Sequence, residues 1–183
     1  MHNRFIFLIT GLVVFFFLGS AKPSSLTDDT TLLINKIKIE ITGISTVGKY
    51  NCSNTFSIKD TIYINSNKKN TFNTAIKMSS FDCGNKIMTK DLQGTVKAQK
   101  FPNSVVCITD VKPNGKNYKC KLNFIVTDKT LKYNDFILYN SDNKIQGTLN
   151  LKFSDLELVP PVKMGGLIKV KDDIVINFIL YKN

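Results

Sequence analysis

Period two governs this chain, and it narrows the folds open to it more than any other feature. Ile37, Ile39 and Ile41 alternate with Lys36, Lys38 and Glu40. Tyr50, Cys52, Phe56 and Ile58 share one face, with Asn51, Ser53, Thr55 and Ser57 on the other. Ile62 and Ile64 continue that strand, the turn-rich Asn65–Asn70 follows, and Phe72, Thr74, Ile76 and Met78 resume the pattern. At Ser79-Ser80 the apolar parity slips by one residue, so that Phe81 and Cys83 face inward, which predicts a β-bulge. Later strands read the same way. Ser104–Lys112 runs to a turn at Pro113-Asn114-Gly115, and Tyr118, Cys120, Leu122, Phe124 and Val126 share a face. Asp128-Lys129 turns into Thr130–Asn140, and Ser141-Asp142-Asn143 turns again. Ile145, Leu149, Leu151 and Phe153 form one face, and Ile174, Ile176, Phe178 and Leu180 another. Val159-Pro160-Pro161 excludes a central strand between these two, and Gly165-Gly166 reopens the pattern.

About eight one-faced strands with short connections predict an all-β, antiparallel sheet with a single buried side. Such a sheet closes as a barrel or stacks as a sandwich. The large inward residues favour the barrel, since eight strands enclose a space that side chains or one small ligand can fill. One stretch breaks the period. Between Phe81 and Val106, Ile87, Met88, Leu92 and Val96 recur at three-to-five-residue spacing, after Gly84-Asn85 and before Phe101-Pro102. This predicts a helical crossover whose apolar stripe covers an open end or edge of the sheet.

The first 21 residues have a different character. Arg4 precedes the uncharged run Phe5–Leu18, and Gly19-Ser20-Ala21 supplies small residues for cleavage. The run is shorter than the roughly 20 residues of a membrane span, and its order is that of a secretory signal peptide. Residues 22–30 read as a polar linker and 31–183 as one domain. Cleavage removes the only His (His2) and the only Arg (Arg4); 25 basic residues less Arg4 leaves 24 lysines against 14 acids, +10. Histidine-dependent Ser and Cys catalysis is thereby excluded from the exported part, as are histidine metal sites. Glu40 and Glu157 are the only glutamates, no close acidic pair falls on an inward face, and Asp172-Asp173 reads as a solvated pair at a turn. The expectation is therefore a non-enzyme with no cofactor. Lysine without arginine argues against specific nucleic-acid recognition. The charge reads as a solvated surface, with weak contact to anionic membrane as its rival.

Four cysteines in an exported chain suggest disulfides. Parity places Cys52 and Cys83 inward on strands flanking the bulge, and Cys107 and Cys120 flank the Pro113-Asn114-Gly115 turn. The expected pairs are Cys52–Cys83 and Cys107–Cys120, against an alternative of four buried free thiols.

Three segments carry a family resemblance. They are Ile41–Cys52 (ITGISTVGKYNC), Phe81–Leu92 (FDCGNKIMTKDL) followed by Phe101-Pro102, and the tail Leu151–Leu180. In order and spacing the chain resembles the YceI-like, polyisoprenoid-binding family, in the form common among secreted proteins of the Bacteroidetes. The resemblance implies a lipocalin-like barrel closed at one end by the crossover, carrying an isoprenoid quinone or other lipid in its lumen, in the periplasm or outside the cell. It carries no catalytic motif. On this expectation the ligand touches Phe56, Ile58, Phe72, Ile76, Met78, Leu122, Phe124, Val126, Leu149, Leu151, Ile176 and Phe178, with Ile87, Met88 and Leu92 as the lid. Strands of eight to ten residues give a lumen about 20–25 Å tall. The alternative is an interaction or stress-response protein whose barrel is filled by its own side chains. Apolar inward faces serve either purpose.

Overall fold

A computed structural model describes residues 30–65 and 71–183. The expected signal peptide, the linker up to residue 29 and residues 66–70 lie outside this range. The alternating segments form nine strands among the described residues: β1 (Thr30–Ser45), β2 (Gly48–Ile64), β3 (Thr71–Lys77), β4 (Asn103–Asn114), β5 (Asn117–Val126), β6 (Lys129–Asn140), β7 (Lys144–Lys152), the two-residue β8 (Val162–Lys163) and β9 (Ile168–Lys182). The helix α1 (Lys86–Thr95) occupies the crossover. The strands run in the order β2-β1-β9-β7-β6-β5-β4-β3, every pair antiparallel, and β8 hangs off β9. The result is a nearly closed, lipocalin-like barrel with one helix. β8 is peripheral because the Pro160-Pro161 pair before it cannot donate to a ladder.

The wall has two seams. β6 and β7 pair only at Tyr139↔Gln146 and Asn140↔Ile145, beside the turn that joins them. Farther along, the gap is filled from within by the segment after β7, where Leu156 and Leu158 are buried. Glu157 of this segment makes an ion pair with Lys129 of β6. At the second seam β2 meets the end of the β3 segment through one bridge. Ser53 and Asp82 exchange backbone hydrogen bonds of 2.8 and 2.9 Å. The Asn54 amide donates to the Lys77 carbonyl at 3.1 Å, and the Cys52–Cys83 disulfide crosses beside them. Covalent chemistry stands where the ladder is missing.

Inward residues of all eight long strands form one core. The Phe124 and Phe178 rings meet edge to face at 5.6 Å, a favoured aromatic geometry. The parity slip falls where the alternation predicts it, with Phe81 and Cys83 buried, but its device is a 3-10 turn at Met78–Ser80 rather than a bulge. Two serines make it local: the turn lifts them outward while Met78 stays buried.

One disulfide expectation is corrected. Cys107 and Cys120 are both free. The β4–β5 loop is Gly115-Lys116 rather than Asn114-Gly115, and the register shifts again between Thr109 and Lys112. Cys107 therefore stands opposite Asn123, on the outer parity of β4, while Cys120 is buried inside. The two thiols face opposite sides of the sheet.

Candidate ligand pocket at the mouth of the barrel

The β1–β2 turn, α1 and the β8–β9 connection all lie at one end of the barrel, here called the mouth. Local chemistry fixes each. Asn85 caps α1: its side-chain oxygen accepts from the backbone N–H of Ile87 (2.8 Å) and Met88 (3.4 Å). The Cys83 N–H donates to Thr89 Oγ1 at 3.1 Å, and the Gly84 N–H to the Asp82 carboxylate at 2.8 Å. Gly84 sits at φ +73°, a conformation that favours glycine. The helix thus starts one residue pair after the disulfide and is tethered to β2 through it. Its Leu92 and Val96 turn into the core, Met88 is half-buried, and Ile87 faces out. Across the opening, Lys163 of β8 and Asp91 of α1 form a 2.7 Å ion pair. The Thr46 N–H donates to the Lys169 carbonyl (3.0 Å) and its hydroxyl to the Leu167 carbonyl (2.9 Å), joining the β1–β2 turn to the β8–β9 connection.

These elements enclose a pocket of about 520 Å³, within the range of ligand sites. Val47, Ile87, Met88, Leu92, Phe153, Pro161, Met164, Ile168 and Val170 give it apolar walls, and Lys49, Tyr50, Asn85, Asp91 and Lys163 are its main polar contributors. Below it, Ile39, Ile41, Ile76, Met78, Phe124, Val126 and Ile176 surround a void of about 30 Å³ inside the barrel. That is the size of one water molecule. Leu92 and Phe153 border both spaces and form the partition between them.

Tyr50 is the unusual member. It faces Gly43 across the β1–β2 ladder, and its ring lies over the glycine so closely that a Cβ there would come within 2.2 Å of the hydroxyl oxygen. That hydroxyl is buried without a hydrogen-bond partner, the only such side-chain atom among the described residues. Burial pushes its pKa up to about 12, so it is a neutral donor at physiological pH. Burial likewise pushes the Cys120 thiol up to about 12, with Asp110 adding to the effect, which leaves it protonated and unreactive. Asp172, expected at a turn, lies within β9; the Ser154 hydroxyl and backbone N–H donate to its carboxylate at 2.6 and 3.0 Å and hold its pKa low. Among the described residues no three His, Cys, Asp or Glu side chains converge.

No protein-family model matches the sequence, and no curated protein does. Solved structures do. A structure of BcnA from Burkholderia cenocepacia superposes with a TM-score of 0.52 at 13% identity, over 79% of this chain and 96% of that one. A polyisoprenoid binding domain from Saccharophagus degradans, implicated in plant cell wall breakdown, gives 0.55 at 9% identity, over 85% and 98%. The chain shares the fold of these two, a nearly closed antiparallel barrel. A Campylobacter jejuni YCEI protein overlaps 88% of this chain and 89% of its own at 14% identity, with a TM-score of 0.47; the fold rests on the other two.

Within this barrel the residues expected to touch ligand fall into three groups. Ile87 and Met88 line the mouth pocket, and Leu92 lines both spaces. Ile76, Met78, Phe124, Val126 and Ile176 surround the inner void. Phe72, Leu122, Leu149, Leu151 and Phe178 are buried in packed core, and Phe56 and Ile58 are half-buried on β2; these seven line neither space. Periodicity puts Tyr50 and Phe153 on inward faces without marking them as ligand contacts, and it gives no place to Val47, Pro161, Met164, Ile168 and Val170. The signal for Pro161 and Met164 was present: Pro160-Pro161 and Gly165-Gly166 bracket an apolar excursion that belongs to no long strand, and such an excursion has to lie against something.

Proposed function

We propose that this chain is an exported, non-enzymatic carrier for a hydrophobic ligand of the isoprenoid quinone or lipid class, a member of the YceI-like family, and that the ligand enters at the mouth. The observation that carries the reading is the largely apolar 520 Å³ pocket at the mouth, which shares Leu92 and Phe153 with the void of the barrel interior. Burial of apolar surface at about 25 cal/mol per Å² supplies affinity without any charged contact. The disulfide is consistent with an oxidising, periplasmic or extracellular location. The polyisoprenoid-binding domain of the same fold supports the choice of ligand class.

The test is native mass spectrometry of protein from its own host, paired with uptake of a fluorescent isoprenoid. A co-purifying lipid mass and saturable uptake are expected. Met88→Trp, which fills the mouth while staying apolar, should weaken uptake about tenfold or more; a folded variant with unchanged affinity sinks the site. Met78→Trp asks the same of the inner void. A second reading has an observation of its own. A lumen reduced to about 30 Å³ fits a self-filled barrel acting through its surface, and bare protein in the spectrometer would favour it.

A further inference from the structure

The rim of the mouth is apolar on its outer side as well. Val47 is 73% exposed, Ile87 68%, Met164 70% and Leu167 73%. They come from three separate segments, the β1–β2 turn, the first turn of α1 and the β8–β9 connection, which hydrogen bonds and an ion pair hold together. Four large apolar side chains left in water around one opening are not scattered surface residues; such patches mark contact sites. The same segments are basic. Residues 46–49, 85–91 and 162–169 carry Lys49, Lys86, Lys90, Lys163 and Lys169 against a single acid, Asp91, which Lys163 neutralises. Among the described residues Lys49, Lys86, Lys90 and Lys169 have no acidic partner.

An apolar ring set among unpaired lysines is complementary to one kind of surface: anionic headgroups over hydrocarbon. We propose that the mouth docks on an anionic bilayer, with Val47, Ile87, Met164 and Leu167 inserted at the headgroup boundary and the four free lysines over the phosphates. A bilayer seated there covers the pocket with the phase in which a hydrophobic ligand dissolves. Docking is a property of the rim and holds whatever the pocket carries.

The experiment is co-sedimentation of the exported full chain with ligand-free vesicles of about seven parts phosphatidylcholine to three parts phosphatidylglycerol. Every variant is made in the same background, so any contribution of the N-terminal run is common to all. Val47→Asp with Met164→Asp should reduce partition at least about tenfold. Lys86→Gln and Lys90→Gln should each reduce it about fivefold on anionic vesicles and leave neutral vesicles unaffected. Leu33→Asp and Tyr139→Asp, exposed apolar positions at the opposite end, should change nothing. The proposal is overturned if the rim variants bind as the parent does, or if the opposite-end variants lose binding equally. It is also overturned if the chain self-associates and the rim variants abolish that dimer while partition stays the same. Uptake of a short, water-soluble prenyl fluorophore in vesicle-free buffer reports on the pocket alone, which separates failure of docking from failure of the carrier reading.

Discussion

At the end of the barrel opposite the mouth, the base, the β4–β5 and β6–β7 connections are tight polar turns whose groups find partners within a few ångströms. The Asn140 N–H donates to the Asn117 side chain (3.1 Å), and the Lys182 ammonium donates to the Asn140 side chain (2.8 Å) and the Ser141 carbonyl (2.6 Å). The Asn65 N–H reaches across to the Val111 carbonyl at 2.8 Å. At the mouth the β1–β2 turn is tight too, but the chain between β7 and β9 is a long, largely apolar connection, Val47, Ile87, Met164 and Leu167 stand exposed, and one hydroxyl is buried without a partner. Exposed apolar surface and unsatisfied polar atoms are both costly. A fold that tolerates them at one end, having solved the same closure problem cheaply at the other, is using that end for something. The comparison can be tested at both ends.

The largest effect should come from the staple beside the mouth. Replacing Cys52 and Cys83 together by Ser opens a loop spanning 31 residues, worth about 3–4 kcal/mol. For a chain of this size that lowers Tm by roughly 10 °C. Cys107→Ser, on the outer face, should leave Tm unmoved. Identical melting with and without reductant would show that the staple does not hold the seam.

Two glycines set the ends against each other directly. A Cβ on Gly147 would come within 2.3 Å of the Phe136 ring, which is itself packed in the core. Gly147→Ala should cost about 1–3 kcal/mol. A Cβ on Gly43 meets the Tyr50 ring as closely, but that ring can swing into an open pocket. Gly43→Ala should therefore cost less in chemical denaturation while reducing ligand uptake more. The reverse order would mean that the mouth is as tightly packed as the base.

Tyr50→Phe removes the unpartnered hydroxyl and should stabilise by about 1 kcal/mol. Its pH dependence has a definite sign. The folded-state pKa is raised to about 12 from an ordinary value of about 10. The neutral hydroxyl's stabilisation is therefore complete below pH ~10 and lost as pH climbs toward 12. The advantage of the Phe variant should widen over that interval, and a constant difference in Tm would contradict the burial. The smallest effect belongs to the strap. Lys163→Gln removes a partly exposed ion pair worth less than about 1 kcal/mol, so stability should hardly move while bound ligand leaves faster.

Much of this was legible in the residues. Alternation located most of the long strands, because a sheet with one wet face imposes period two, and turn signals bounded β4 and β6. The change of period at Ile87, Met88, Leu92 and Val96 located α1, and Asn85 its start. The pairing of Cys52 with Cys83 followed from parity once the slip at Ser79-Ser80 was seen. Cys107 and Cys120 failed for the same reason the others succeeded. Asp110 adopts φ 55° and shifts the register before the turn, and a one-residue shift turns Cys107 outward. Nothing local in Thr109–Lys112 announces it. The pocket was hidden differently. Inwardness is written in the alternation, but whether inward space is full depends on side chains from strands distant in sequence. The roomy part formed at strand ends and in the connections beyond them, among Val47, Tyr50, Pro161, Met164 and Val170.

The seam between β2 and β3 has a mechanical consequence. In a barrel with a continuous ladder the circumference is set by whole strands, and widening it means breaking backbone hydrogen bonds in a row. Here the wall is interrupted, and one bridge, a disulfide and the hydrogen bonds of Asn54 to Lys77 and Asn65 to Val111 stand in place of a continuous ladder. Fewer backbone bonds resist widening along this line than along a fully paired one, so any change in the girth of an interior of about 30 Å³ should begin here.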